Sequence, residues 1–518
     1  MYDLAIIGGG INGCGIARDA AGRGLSVLLV EQHDLAGATS SWSTKLIHGG
    51  LRYLEQYEFR LVRESLQERE VLLRLAPHLI RPMQFVLPHD RTMRPAWMIR
   101  AGLFLYDHIG GKQSMPGSRG LHFPDHNLNA GLVPKITRGF LYSDAQVDDA
   151  RLTVLNAVSA RELGATVRTR TALVGAQRQA GRWCLSLSHR GVAASTTTNA
   201  TNATNATNVT ITTTVYANAV VNAAGPWVKQ VLDGAFKIET AATVRLVKGS
   251  HIVVPRIHEY DHAYLLQTAD GRVVFVIPYE GRYSLIGTTD ILVTDANQPP
   301  AISAEETAYL LAAVNHFLAK PLYARDVIWT YAGVRPLYDD GEANASKVTR
   351  DYVLKLDHVD GKLPLLSVFG GKLTTYRRLA EHALATLAPH LPAMRAPWTA
   401  GTSLPGGVLE GYEDIDAYAR SLMPKHVGVP PDYIRRLVHR HGDRAAKILA
   451  GVRNVSDMGE IFGIGLNLLC EREIEFLIAH EWATSADDIL WRRTKCGLHM
   501  DDAERARATA FIETKLKQ

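Results

Sequence analysis

The stretch YDLAIIGGGINGCGIARDAAGRGLSVLLVE, residues 2–31, decides how the fold is read. It opens on an apolar run of strand length. GGGING follows at once, with Gly8, Gly10 and Gly13 in G-x-G-x-x-G spacing. Helix-compatible residues run from 16 to 21, the Gly22-Arg23-Gly24 turn breaks them, and a second apolar run over 25–30 ends at Glu31. Strand, glycine turn, helix and strand in that order form the unit that binds a dinucleotide. Gly8 permits the tight turn, Gly10 lets the backbone approach a pyrophosphate, and Gly13 lets the helix pack close to the strand. The phosphates belong at the helix N-terminus, where unpaired N–H groups point outward. Glu31, closing the second strand, is placed to accept hydrogen bonds from ribose hydroxyls. A glycine triplet alone is a weak signal and a Gly-rich structural turn is its bland reading. The flanking strands, the helix and the acid together make the nucleotide site the expectation.

A chain of 518 residues has room for several domains and a sizeable core. Hydrophobic content of 46% and charged content of 21% are those of a soluble globular protein. A net charge of +5 favours anionic substrates or anionic lipid but is too small to argue for nucleic acid, and none is expected. The four cysteines, Cys14, Cys184, Cys470 and Cys496, form no C-x-x-C pair and no metal-ligand spacing. No metal site is expected, and a reduced, cytosolic-side protein is the simplest reading. The strand beginning at residue 2 leaves no room for a signal peptide. No apolar run reaches the roughly eighteen residues that a bilayer span requires.

Further along, residues 32–43 are rich in Ser, Thr, Gly and Ala, and a long helical pattern covers 59–75. The Pro- and Gly-rich section 78–145 reads as an insertion, not as continued βα units. A helix over 148–163 precedes short strands at 165–170, 174–178 and 182–187, and an apolar strand over 216–222 runs into AAGPW. Between 243 and 331 the pieces have the period-2 pattern of an antiparallel sheet, with one helix opened by a capping box, Ser303 with Glu306. From about 400 the pattern becomes helical with charged faces, as in 432–450, 471–480 and 501–515, the last with Asp501 and Glu504 in capping positions. Residues 196–214, TTTNATNATNATNVTITTT, are an Asn-Ala-Thr repeat placed between two strands, hence at a hairpin tip. Its glycosylation sequons carry no meaning without a secretory signal.

Several stretches together resemble one known family. TSSWSTKLIHGGLRYLEQYEFRLV (39–62), VVNAAGPWV (220–228), LVKGSHIVVP (246–255), YAGVRPL (331–337), SVFGGKLTTYRRLAEHAL (367–384) and ADDILWRRTKCGL (486–498) look like FAD-dependent glycerol-3-phosphate dehydrogenase of the respiratory, bacterial aerobic type. The resemblance covers the whole chain apart from the Thr/Asn insert. It implies an α/β flavoprotein of the two-domain, amino-acid-oxidase-like type. A discontinuous Rossmann-type FAD domain (1–77, 146–240 and 333–395) is joined to an antiparallel-sheet substrate domain (78–145 and 241–332) and an all-helical C-terminal cap (396–518).

The implied chemistry can be laid on particular residues. Gly8, Gly10, Gly13 and Glu31 take the adenosine and pyrophosphate end of FAD. Ser40, Ser41, Thr44, Lys45, His48 and Gly49 supply hydroxyls, cations and close backbone to the isoalloxazine. Gly225 ends a strand in small residues. Gly371, Lys372, Leu373 and Thr374 lead into a second helix whose N-terminus favours an anionic reduced ring. A phosphate monoester needs converging cations, and the candidates are Arg52 with Tyr53, Arg335, Arg350 and Lys372. Arg335 stands out because its charge interrupts an apolar strand. Oxidation of a secondary alcohol needs a base that is neutral at working pH. His251, opening an apolar strand after KGS, is the first choice, and His48 is the second. Arginines can hold the alkoxide as it develops.

The family's electron acceptor is a quinone, and the absence of an iron–sulfur cysteine set departs from the anaerobic type of the enzyme. RTMRPAWMIRAGLFLYDHIGG (91–111), apolar with Trp97, Phe104 and Tyr106 between arginines, suits a monotopic contact with the cytoplasmic face of the inner membrane. A buried helix with basic ends is the alternative. Monomer and homodimer both stay open. The rivals in function are a glycerol-3-phosphate oxidase using oxygen, an amino-acid oxidase on the same fold, and a non-enzymatic FAD-binding scaffold or redox sensor.

Overall fold

The computed structural model describes all residues except 91–93, 124–126, 193–207, 269, 340–350 and 464–466; for Arg52, Gln56, 190–192 and 208–210 it describes the backbone alone. Two sheets and a helical C-terminal region organise the chain.

The first sheet has the order β17 (Val353–Val359), β18 (Lys362–Phe369), β10 (Asn208–Asn222), β1 (Tyr2–Ile7), β2 (Val27–Val30), β7 (Thr166–Arg168). From β18 to β7 every pair is parallel. This is why β1 and β2 read as nearly unbroken apolar runs: a parallel sheet is covered on both faces. Helices α1 (Ile11–Gly22), α4 (Asp149–Glu162) and α7 (Tyr376–Leu387) cover one face, packing Ile16, Ala17 and Ala20 against Leu152, Leu155, Leu379 and Ala383. On the other face Trp183 and Phe236 meet edge to face at 5.3 Å. β9 (Arg182–Val192) extends the sheet antiparallel to β10, and β8 (Thr171–Gln179) pairs antiparallel with β9.

Helix α1 begins at Ile11, five residues before the expected helical run, so it takes in Gly13. A Cβ on Gly13 would lie 1.9 Å from the Gly8 carbonyl oxygen. The close approach that excludes a side chain there also lets the turn itself be helical. The Asn-Ala-Thr insert likewise overlaps a strand: β10 starts at Asn208 and pairs it with Val192. The tip, 193–207, lies outside the described residues.

The second sheet runs β15 (Ile291–Val293), β11 (Val244–Pro255), β14 (Tyr283–Gly287), β13 (Val273–Tyr279), β12 (Ala263–Gln267), β4 (Ile80–His89), β6 (Arg138–Val147), β3 (Leu46–Ile47). β16 (Trp329–Tyr338) pairs with β11, and β5 (Arg119–His122) with β6. Its described pairs are antiparallel except β4 with β12. Section 78–145 thus supplies three of its strands and α3 (Ala96–Ile109). Alternation along β11 assigns its two faces. Ile252 and Val254 pack on α6 (Ala304–Asn315), where Ser250 donates to Glu306 at 2.8 Å. Val253 belongs to a second core with Leu66 of α2 (Phe59–Leu75) and Leu103 of α3. The Ser303–Glu306 capping box opens α6 as the sequence implies.

The C-terminal region packs α8 (Ile415–Leu422), α9 (Pro431–His441), α10 (Ala445–Ile448), α11 (Glu471–Glu481) and α12 (Asp502–Lys515) around its own core, with the short pair β19 (Ile461–Phe462) and β20 (Leu469–Cys470). Asp501 caps α12 by accepting from Glu504 N–H at 2.8 Å. Buried ion pairs fasten this region to the first sheet. Arg493 donates to Asp34 at 2.7 and 2.8 Å, and Glu481 accepts from Arg444 at 2.8 Å and from Arg151 of α4. Towards the second sheet, Trp491 stacks on Trp329 at 5.0 Å.

Candidate active site

Between the two sheets lies a cavity of about 1280 Å³, and both sheets contribute to its wall. The second sheet's share follows from its register. β11 pairs His251 with Tyr331 of β16 on one side and with Gly287 of β14 on the other. Residues directly opposite in a ladder share a face, so the odd-numbered Gly249, His251 and Val253 lie on one face with Tyr331, Gly333 and Arg335, and of these His251, Gly333 and Arg335 line the cavity. The His251 ring stacks on Tyr331 at 4.6 Å with 17° between planes. It also spreads over Gly287, where an added Cβ would lie 2.1 Å from the His251 Cδ2. Arg335 in turn folds over Gly249, and a Cβ there would lie 2.1 Å from its Nη2. Two bare positions thus make room for the base candidate and for the cation candidate.

Arg335 is braced within the wall through both terminal nitrogens. Its Nη1 pairs with Asp290, while Nη2 donates to Thr288 Oγ1 at 3.2 Å and to the Thr289 carbonyl at 3.1 Å. His251 is only 2% exposed. Its Nε2 lies 3.1 Å from Thr44 Oγ1, and its Nδ1 has no hydrogen-bond partner among the described residues. Burial first, then the charges of Arg335 and Lys45, push its pKa well below the ordinary 6.5. His48 also faces the cavity, edge-on to Phe275 at 6.3 Å. Burial lowers its pKa, and Lys372 and Arg69 add to the shift against the opposing Asp144.

The first sheet contributes loops. Ser40 Oγ accepts from Ile11 N–H, at the start of α1, at 3.0 Å. The next stretch is anchored on Asp149. Ser43 donates to Asp149 Oδ2 through N–H at 3.1 Å and Oγ at 2.7 Å, and Lys45 Nζ reaches Asp149 Oδ1 at 2.9 Å. Asp149 stands in the first turn of α4, where the helix dipole favours its charge. Thr44, between these two anchors, faces the cavity. Ser41 and Lys45 do not line it: the Ser41 hydroxyl donates to the Ala36 carbonyl, and Lys45 is buried on Asp149 and the Ser41 carbonyl. Gly49 N–H donates to Tyr106 Oη at 2.8 Å, and that hydroxyl donates to Asp144, which also takes Arg69 at 2.7 Å. Gly371, Lys372, Leu373 and Thr374 line the cavity just ahead of α7. Lys372 Nζ lies 3.8 Å from the centre of the Tyr53 ring.

At the nucleotide end Gly8 has φ +113° and Gly10 caps α1. Glu31 accepts from Gly9 N–H at 2.7 Å and His33 N–H at 2.8 Å, so both carboxylate oxygens already hold the turn. Burial raises its pKa against those two bonds. Gly225, φ +56°, follows β10 and is not part of the cavity wall. The Arg52 side chain and all of Arg350 lie outside the described residues.

Sequence reasoning passed over several residues that line or brace the cavity wall. Asn12 donates to the Gly370 carbonyl at 3.2 Å, tying α1 to the 370–374 turn, and its buried Oδ1 has no partner among the described residues. Period-2 reading of YAGVRPL would have found Tyr331, which shares a face with Arg335. Nothing local marks Asp290 or Thr288.

These residues fit a dinucleotide laid from the glycine turn into the cavity. The turn leaves no room for side chains, a helix start stands beside Ser40, and Asn12 offers a spare buried acceptor. Comparison with known proteins agrees. Residues 3–377 match the family described as FAD dependent oxidoreductase, and residues 398–514 match the C-terminal domain of alpha-glycerophosphate oxidase. The aerobic glycerol-3-phosphate dehydrogenase of Escherichia coli is 48% identical over 98% of this chain and 97% of its own. The D-erythritol 1-phosphate dehydrogenase of Brucella abortus is 47% identical over 99% of this chain and 97% of its own. Among solved structures, the FAD complex of glycerol-3-phosphate dehydrogenase from Bacillus halodurans superposes with a TM-score of 0.71 at 26% identity, covering 100% of this chain and 95% of that one. The chain therefore belongs to the FAD-dependent oxidoreductases, with glycerol-3-phosphate dehydrogenases among its relatives over nearly the full length, and FAD is its cofactor.

Proposed function

We propose that the chain oxidises sn-glycerol 3-phosphate to dihydroxyacetone phosphate and passes the electrons to a membrane quinone. The observation that supports this reading is the shared sheet face of His251 and Arg335, with Lys372 lining the same cavity. Gly8, Gly10, Gly13, Asn12, Ser40 and the 371–374 turn would hold FAD, which when bound accepts a hydride from the carbinol carbon.

Lys372, with Tyr53, Arg52 and Arg350, takes the phosphate. Arg335 is held sideways by Asp290 and Thr288, which suits it less to a forked grip on a dianion than to one directed contact with the reacting oxygen. There it stabilises negative charge as the alcohol loses its proton. His251, kept neutral by burial and by its cationic neighbours, receives that proton. Apolar packing by Phe275, Leu265 and Tyr142 keeps water from the reacting carbon.

The identity between this chain and a D-erythritol 1-phosphate dehydrogenase supports a second reading, a longer polyol phosphate of the same chemistry. Anaerobic mixing with each phosphate, following the flavin band, separates the two. Bleaching by glycerol 3-phosphate is expected, and none with either compound would sink the proposal and favour a scaffold or sensor. Peroxide yield in air, set against quinone reduction, tests the oxidase alternative.

The membrane contact is proposed at α3 and the turn before α2. Trp97, Phe104 and Tyr57 are 70%, 58% and 79% exposed, and Tyr57, Phe59, Met98 and Leu105 also form the cavity rim. Such a patch seats on an interface without spanning it. Among the described residues no helix is long and apolar enough to cross a membrane. The reading places the chain on the cytoplasmic face of the inner membrane, with the quinone reaching the flavin from that rim.

A further inference from the structure

We propose that Thr44 relays the proton from the substrate hydroxyl to His251. The inference rests on the reading of His251 as base and adds a second residue to the proton path.

Three observations carry it. The His251 ring is closed on both faces, by Tyr331 at 4.6 Å and by the Gly287 backbone, and only 2% of the residue is exposed. Nδ1 is buried and has no partner among the described residues, so the ring exchanges protons with the cavity through Nε2. The atom placed at Nε2 is Thr44 Oγ1, at 3.1 Å. Its position is fixed from both sides. Ser43 and Lys45 grip the Asp149 carboxylate, and Ser43 also accepts from Tyr331 Oη through its carbonyl at 2.8 Å. The ring and the hydroxyl that faces it are thus mounted on one frame. Thr44 lines the cavity beside His251, and a hydroxyl both donates and accepts.

The step balances as follows. The substrate O–H bond breaks and its proton passes to Thr44 Oγ1. The Thr44 proton moves to the Nε2 lone pair, leaving an imidazolium and an intact threonine hydroxyl. The C–H bond gives its hydrogen and electron pair to oxidised FAD, and the carbonyl forms. The relay requires that resting His251 carry its proton on Nδ1 and accept at Nε2.

The test uses the holoenzyme, with FAD content and thermal midpoint confirmed for Thr44→Val, Thr44→Ser and His251→Gln. Anaerobic flavin reduction by glycerol 3-phosphate is expected to slow about a hundredfold in Thr44→Val. It should recover to within a few-fold of the native rate in Thr44→Ser. The solvent deuterium effect should show two protons in flight for the native and Ser forms and no more than one for the Val form. Independently of turnover, 15N spectra of the histidine rings, with His251 identified by its loss in His251→Gln, should show Nε2 as an unprotonated acceptor that shifts in Thr44→Val. A fast Thr44→Val with a slow His251→Gln overturns the relay and leaves the base in place. A fast His251→Gln overturns both. A Thr44→Ser as slow as Thr44→Val, or a proton resident on Nε2, also overturns the relay, because the side chain then acts by packing or as an acceptor.

Discussion

Asp290 holds Arg335. The carboxylate sits on the cavity wall, pairs with the guanidinium, and turns its second nitrogen to Thr288 and Thr289. The cation nearest His251 is therefore already partly neutralised, and a phosphate drawn to Arg335 would meet a carboxylate beside it. Asp290→Asn should release the fork: inorganic phosphate should inhibit several-fold more tightly while flavin reduction slows as Arg335 loses its direction. Arg335→Ala should slow flavin reduction by roughly 10²–10³ with FAD retained, the cost of losing one donor at a developing oxyanion. Stopped-flow reduction and phosphate inhibition constants check both, and unchanged kinetics in Arg335→Ala would remove it from the reacting end.

The pH behaviour of His251 follows from its setting. Its folded pKa lies well below 6.5, so the ring is neutral at pH 7 and the acid limb of flavin reduction should fall below that value. Arg335→Gln removes a charge that disfavours the imidazolium, so the limb should move to higher pH. The same depression has a stability consequence. His251, His78 and His441 are all held below 6.5 by burial. The unfolded chain binds the extra protons, so the stability from neutral burial is complete above about pH 6.5 and is lost as pH falls towards the folded values. Thermal midpoints from pH 5 to 8 should rise with pH across the lower half of that range.

At the junction of the C-terminal region, Glu481 is buried between Arg151 and Arg444, whose charges hold its carboxyl well below the usual range. Glu481→Gln leaves two buried guanidiniums without their counter-charge, a loss of roughly 3–5 kcal/mol. The expected result is a lowered unfolding midpoint and early proteolytic release of the segment after residue 396. A midpoint within 1 °C or so of the native would mean that water reaches the pair.

Trp97 and Phe104 on α3 pack little of their surface against the protein. Replacing both with Ser should leave dye-linked turnover near native and lower the partition onto anionic vesicles tenfold or more, since each buried aromatic contributes about 1.5–3 kcal/mol. Vesicle flotation measures it, and unchanged flotation would relocate the contact.

What the sequence disclosed and what it hid divide by range. The glycine turn, the β1–α1–β2 unit, α2 and the α6 cap are local events, and local pattern found them. The resemblance located His251, Arg335 and Lys372, all on the cavity wall. It could not say that Lys45 turns away while Thr44 turns in, because Lys45 is drawn to Asp149, more than a hundred residues downstream. Asp290 is invisible for the same reason: its meaning comes from a strand that returns 45 residues later. Asn12 meets Gly370 across 358 residues, a separation at which no periodicity speaks.

Strand β10 joins two ends with different obligations. At Asn222 it lies beside Ile7 and the nucleotide turn, and at Asn208 it emerges from the Asn-Ala-Thr repeat. Its 15 residues, at about 3.3 Å each, put these ends on the order of 50 Å apart. Repeat units added or removed beyond Asn208 would leave the pairing of Asn222 with Ile7 in register. The polypeptide can therefore lengthen or shorten at that end without disturbing the cradle at the other.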